Sequence, residues 1–200
     1  MHSKDNQLDK ISEYVKQKFS NETTGHDYFH LERVVKNANK IAIEEDANLF
    51  ITMAAAWLHD IADHKLTTNP KKELNELLQF LKQLRLQHSQ IEAIMMIIDT
   101  TSYSKGVIPT TIEGKIVQDA DRLDALGAIG IARAFAYGGS KQRTIYEPTK
   151  STGSTIHHFY EKLLLLQDSM HTNTGRMIAA ERHQYIENFL NQFYKEWEGE

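Results

Sequence analysis

Apolar residues recur at three- and four-residue steps along most of this chain. Leu8, Ile11, Val15 and Phe19 form one series, and Leu31, Val34, Val35, Ala38 and Ile41 a second. Leu74, Leu77, Leu78, Leu81 and Leu84 form a third, and Ile186, Phe189, Leu190, Phe193 and Trp197 a fourth. Residues at that step share one face of an α-helix, whereas a half-buried strand needs strict alternation. No segment alternates cleanly enough to read as a strand, so the pattern predicts an all-α fold. Helix starts are marked in keeping with it. Asn69-Pro70 reads as an N-cap followed by an N1 proline, and Ser89 with Glu92 and Thr110 with Glu113 read as capping boxes. The segment Ala125–Ala136 (ALGAIGIARAFA) is apolar nearly all round, which predicts a buried central helix. Two loops interrupt the helices, Ser102–Thr111 and the long polar stretch Tyr137–Thr155. A loop of the latter length is usually functional or disordered.

The chain has 200 residues, which suits one domain with a full hydrophobic core. It has no cysteine, so a disulfide framework, a thiolate metal site and a cysteine nucleophile are excluded. Its formal net charge of −4 argues against broad nucleic-acid binding. The first residues, MHSKDNQLDK, are polar and show no secretory core, and the longest apolar runs fall far short of a membrane span. A cytoplasmic location is expected.

Three polar stretches stand out against the apolar background: GHDYFHLERV, WLHDIADHK and QDADRLDALG. They supply His30, the adjacent pair His59-Asp60, and the acids Asp119, Asp121 and Asp124. A lone His or Asp is more often a solvated or helix-end group. Here the acids sit inside apolar segments, where an unpaired charge is costly. Two imidazoles with carboxylates make a mixed N/O donor set suited to a borderline divalent ion. On a helix, Asp63 would share a face with His59, four residues before it.

The ordered pattern of His30, His59-Asp60 and Asp121, with DADRLDALGAIGIAR and the late stretch TIHHFYEKLLLL, resembles the HD-domain metal-dependent phosphohydrolases, in particular a stand-alone bacterial branch. The similarity runs from about residue 20 to 195. It implies an all-α HD-domain helical bundle with a central metal site, over a single domain 1–200. The core would span about 20–130, with C-terminal helices at about 154–197 packed on it. It also implies that His30, His59, Asp60 and Asp121 hold the metal, Asp121 being chosen because DRLDAL resembles the family's ligand segment. One divalent ion is expected, Mn²⁺ first, with Mg²⁺, Co²⁺, Ni²⁺, Fe²⁺ or Zn²⁺ as alternatives. Only His64 and His88 lie between the HD pair and Asp121, which disfavours a two-metal site. No GYP segment appears, and HDIADHK lacks the adjacent acid pair of the alarmone hydrolases.

The branch resembles nucleoside triphosphate pyrophosphohydrolases, so the expected reaction is hydrolysis of a (deoxy)nucleoside triphosphate to a monophosphate and pyrophosphate. Asp63 is the candidate catalytic acid/base. Arg33, Lys65, Arg122, His158 and Lys162 are candidate substrate-binding groups, although Arg122 is also placed to pair with Asp119. Lys141, Arg143 and Lys150 in the long loop are further cations. The expected partner is a small-molecule nucleotide, with no membrane and no stable nucleic acid, and a homodimer is compatible. Alternatives are hydrolysis of another phosphate ester, such as a nucleoside monophosphate or an alarmone, and a non-catalytic nucleotide-binding or signalling module. An iron oxygenase is disfavoured by the missing histidines.

Overall fold

The computed structural model describes all residues except 1–3, 21–26, 64–65, 102–106 and 151. Among the described residues it has nine α-helices and no strand. It divides into two compact units, Met1–Ala120 and Asp121–Glu200.

The first unit holds α1 (Lys4–Lys18), α2 (Tyr28–Glu44), α3 (Leu49–Leu58), α4 (Pro70–Gln83), α5 (His88–Thr101) and most of α6 (Ile112–Asp124). Its centre is α3, which packs against α1, α2 and α5. The sequence LFITMAAAWL explains this position: it is apolar on every side, and Ala54, Ala55 and Ala56 are small enough for neighbours to approach closely on several faces. All three are fully buried. Asn48 caps α3 by accepting from the Ile51 N–H at 3.2 Å. The expected stripes are buried on α1 (Ile11, Val15), on α2 (Leu31, Val34, Val35, Ala38, Ile41) and on α4 (Leu77, Leu81).

Asn69-Pro70 opens α4 as expected, the Asn69 side chain accepting from Lys72 N–H at 3.1 Å. The two capping boxes are displaced. Helix α5 begins at His88, and Gln90 reaches back to the Gln87 N–H at 2.9 Å. Helix α6 is capped by Thr111, which accepts from Gly114 N–H at 3.1 Å, while Glu113 accepts from the Asn48 N–H at 3.2 Å.

The second unit holds the end of α6, then α7 (Gly127–Ser140), α8 (Thr155–Glu161), two short 3₁₀ turns at Leu163–Leu165 and Gln167–Ser169, and α9 (Asn173–Glu198). The expectation that Ala125–Ala136 is buried on all sides does not hold. Ala128, Ile129, Ala132 and Ala136 are exposed, Ile129 by 45%, while Gly127 and Gly130 are buried. An apolar residue loses little at the surface when it is alanine, so an alanine-rich helix reads as more buried than it is. On its other side α7 contributes Phe135, which meets Phe159 of α8 at 5.9 Å and Phe189 of α9 at 6.0 Å between ring centroids.

The loop after α7 is tied down. Thr155 and Ile156 donate to the carbonyls of Thr144 and Ile145 at 2.9 and 3.0 Å. Tyr146 sits among the rings of His157, Phe193, Tyr194 and Trp197 at 5.0–5.9 Å. No described helix is long and apolar enough to cross a membrane.

Candidate metal centre

His30 lies in the first turn of α2. Asp27 caps that helix, its carboxylate accepting from the His30 N–H at 2.7 Å. The cap fixes the backbone of the residue whose side chain enters the site. His30 is fully buried, set among Leu31 and Val34 of the same apolar face.

His59 and Asp60 follow the last residue of α3. His59 is its C-cap, and the chain then turns, Ile61 N–H donating to Leu58 O at 3.1 Å and Asp63 N–H to Asp60 O at 3.0 Å. The His59 Nδ1 stands 2.8 Å from the Ala56 carbonyl. A carbonyl only accepts, so Nδ1 carries the proton and Nε2 presents its lone pair. That lone pair faces Asp60 Oδ1 at 3.3 Å, and His30 Nε2 faces Asp60 Oδ2 at 3.5 Å. The two rings stand edge to face, 5.8 Å apart. His59 and Asp60 are 7% and 6% exposed.

Asp121 lies on α6, whose earlier turns belong to the first unit. One ligand atom each from His30, His59 and Asp121 falls within 4.8 Å of the others. The donor chemistry fits a cation as well. A neutral imidazole lone pair and a carboxylate oxygen facing each other repel unless a positive charge lies between them. At 3.3 and 3.5 Å they are also farther apart than a charge-assisted hydrogen bond of about 2.7–2.9 Å.

The remaining expected site residues are distributed as follows. Asp63 is half-buried and lies beyond α3 in the turn, so the shared helical face expected for His59 and Asp63 is not formed. The cause is that the helix stops at Leu58. Arg33 is half-buried on α2, one turn after His30. Lys65 lies outside the described residues.

In the second unit, Arg122 donates from Nη1 to the Ser169 carbonyl at 2.5 Å and meets His171 Nε2 at 2.9 Å. His158 is half-buried on α8, and Lys162 is that helix's C-cap. Burial pushes the His158 imidazole below the ordinary histidine value, and the nearby cations Lys162 and Arg143 push the same way against Glu161. Asp119 is fully buried, and Asp124 is 2% exposed and paired with Arg133 at 2.6 Å. Asp27, Ala56, Arg133, Arg182 and His171 were not singled out by sequence reasoning. Asp27 alone carried a legible sign, an N-cap residue three positions before His30.

The sequence profile of the HD domain matches residues 27–126, a span that takes in His30, His59, Asp60 and Asp121. The chain belongs to the HD-domain family. YpgQ of Bacillus subtilis is 38% identical over 197 residues, covering 96% of this chain and 95% of that protein. The crystal structure of YpgQ in complex with ADP superposes with a TM-score of 0.85 at 36% identity, covering 98% of this chain and 97% of that one. An HD-superfamily hydrolase from Bacillus thuringiensis superposes with a TM-score of 0.84 at 41% identity, covering 99% and 100%. Its all-α architecture is that of these HD-domain neighbours. As a member of the HD superfamily the protein is a metal-dependent phosphohydrolase; the family implies a divalent metal site, and the described residues include a candidate His/Asp group for it.

Proposed function

We propose that the substrate is a (deoxy)nucleoside triphosphate, hydrolysed to a nucleoside monophosphate and pyrophosphate. The observation that carries this reading is the convergence of His30, His59 and Asp60 in a buried HD-type site, in a chain whose relative YpgQ was crystallised with ADP. In this reading His30, His59, Asp60 and Asp121 hold one divalent ion, Mn²⁺ being the first choice. Such an ion supplies Lewis acidity and neutralises phosphate charge. His59 Nδ1–H donates to the Ala56 carbonyl, which keeps the ring fixed and Nε2 basic.

Asp63 accepts a proton from the attacking water or returns one to the leaving oxygen. The water oxygen bonds to the α-phosphorus, the α–β bridging bond breaks, and its electron pair leaves on pyrophosphate. Arg33, Lys65, His158 and Lys162 bind the polyphosphate through charge-assisted contacts. Arg122 serves that purpose only if a guanidinium nitrogen beyond the one on Ser169 and His171 turns to substrate.

The test is product analysis with a panel of nucleotides in ¹⁸O-water with Mn²⁺, Co²⁺, Ni²⁺ and Mg²⁺. Monophosphate carrying ¹⁸O together with unlabelled pyrophosphate is expected. Diphosphate with orthophosphate would place the cut at the γ-phosphate. Hydrolysis confined to monophosphates or alarmones would replace the substrate class, and no hydrolysis with any metal would favour a binding module.

A further inference from the structure

The last turn of α6 ends in arginine contacts that the proposed chemistry does not use. Arg182 of α9 donates from Nη1 to the Leu123 carbonyl at 2.6 Å. Arg133 of α7 donates from a single Nη1 to both the Asp124 carbonyl, at 3.1 Å, and the Asp124 carboxylate, at 2.6 Å. The final carbonyls of a helix are left without intrahelical donors and form its negative pole, so guanidinium groups are well matched to them. Gly127 makes room for this arrangement. Its φ is +67°, and a Cβ there would lie 3.2 Å from the Arg182 Cγ. The Arg182 stem lies in the space that a side chain at Gly127 would otherwise fill.

Asp121 stands on this same turn, three residues before Asp124 and therefore on a neighbouring position of the helix surface. We propose that Arg133 and Arg182 are positioning residues for the metal centre, fixing the final turn of α6 and with it the carboxylate of Asp121. The inference rests on Asp121 being a ligand. Two consequences follow from the contacts. The Arg182 bond to Leu123 sets the path of the backbone two residues after Asp121. The Arg133 contacts to the carbonyl and carboxylate of Asp124 anchor the residue that ends this turn, three positions after Asp121.

The experiment measures Mn²⁺ affinity by titration calorimetry for the wild type, Arg182→Met, Arg133→Met, Arg182→Lys, Asp124→Asn and Asp121→Asn, well below each melting temperature. Far-UV circular dichroism is recorded on the same samples. Each Arg→Met change is expected to weaken Mn²⁺ binding tenfold or more with the helical signal unchanged. Arg182→Lys should recover most of the affinity, because one N–H suffices for the Leu123 carbonyl. A merely structural role would lower the melting temperature and leave affinity within twofold, which overturns the proposal. So would Arg182→Lys binding as weakly as Arg182→Met. If the methionine variants do not fold, Arg182→Lys and Asp124→Asn decide, since Asp124→Asn keeps the shape and removes the ion pair. Severalfold weaker binding in Asp124→Asn supports the proposal, and unchanged affinity in it overturns it. Wild-type affinity in Asp121→Asn would refute the ligand assignment instead, a separate outcome.

Discussion

Asp60 stands between two imidazoles, each of its oxygens facing one ring. Removing a member of such a set leaves the other two facing each other without the charge that reconciles them. His59→Ala and Asp60→Ala should therefore abolish retention of Mn²⁺ through desalting while circular dichroism stays native. Full metal content in either variant would show that its ligand is misassigned. Asp63 should behave differently, because the turn after α3 carries it past His59 and Asp60. Asp63→Asn is expected to keep its metal and lose about 10²–10⁴-fold in turnover, the usual cost of removing a general acid/base. A rate within a few-fold of wild type would make Asp63 a bystander. At this scale the candidate donor group was legible because two imidazoles and a set of acids inside apolar segments call for a common partner. The Ala56 carbonyl was not, since any residue offers one and only the stop of α3 at Leu58 brings it to His59.

Among the elements, α2, α4 and α9 were readable from their apolar stripes, and Asn69-Pro70 gave the start of α4 directly. The two displaced caps share a physical cause. Gln87, Ser89 and Gln90, or Thr110 and Thr111, are all competent near a helix start, and tertiary packing selects among them. Helix α7 was misjudged because alanine counts as apolar yet is at ease in water.

Helix α8 carries a pH dependence. His158 titrates below its ordinary value of about 6.5 when folded. A histidine depressed in the folded state contributes stability above its unfolded pKa, and that contribution is lost as pH falls through the folded pKa. Melting temperatures of the wild type and His158→Gln, followed from pH 7.5 to 5, should therefore diverge below about 6.5, the wild type falling faster. Parallel curves would remove His158 as the cause.

For the whole molecule, the expectation is one divalent ion per chain, because the described residues supply one His/Asp group of ligand spacing. Elemental analysis after gel filtration measures it, and two tightly held ions would end the mononuclear reading. An ion that binds only the folded state stabilises it by mass action, about 2.7 kcal/mol at a hundredfold excess over its dissociation constant. Chelation should lower the melting temperature accordingly, and Mn²⁺ should restore it.

The chain has two tryptophans, and each unit owns one. Trp57 is 8% exposed and stacks on Tyr28 at 5.5 Å, two residues before His59. Trp197 is 47% exposed and leans on Tyr146 and Phe193. Their fluorescence should differ in colour, the buried indole emitting to the blue of the exposed one. With Trp197→Phe, Trp57 becomes a single optical probe two residues before His59, and a paramagnetic ion such as Mn²⁺ bound by the proposed ligands should quench it. With Trp57→Phe, the remaining emission follows the second unit alone. The protein therefore contains the means to record, in one denaturant titration, whether its two units come apart together or in turn.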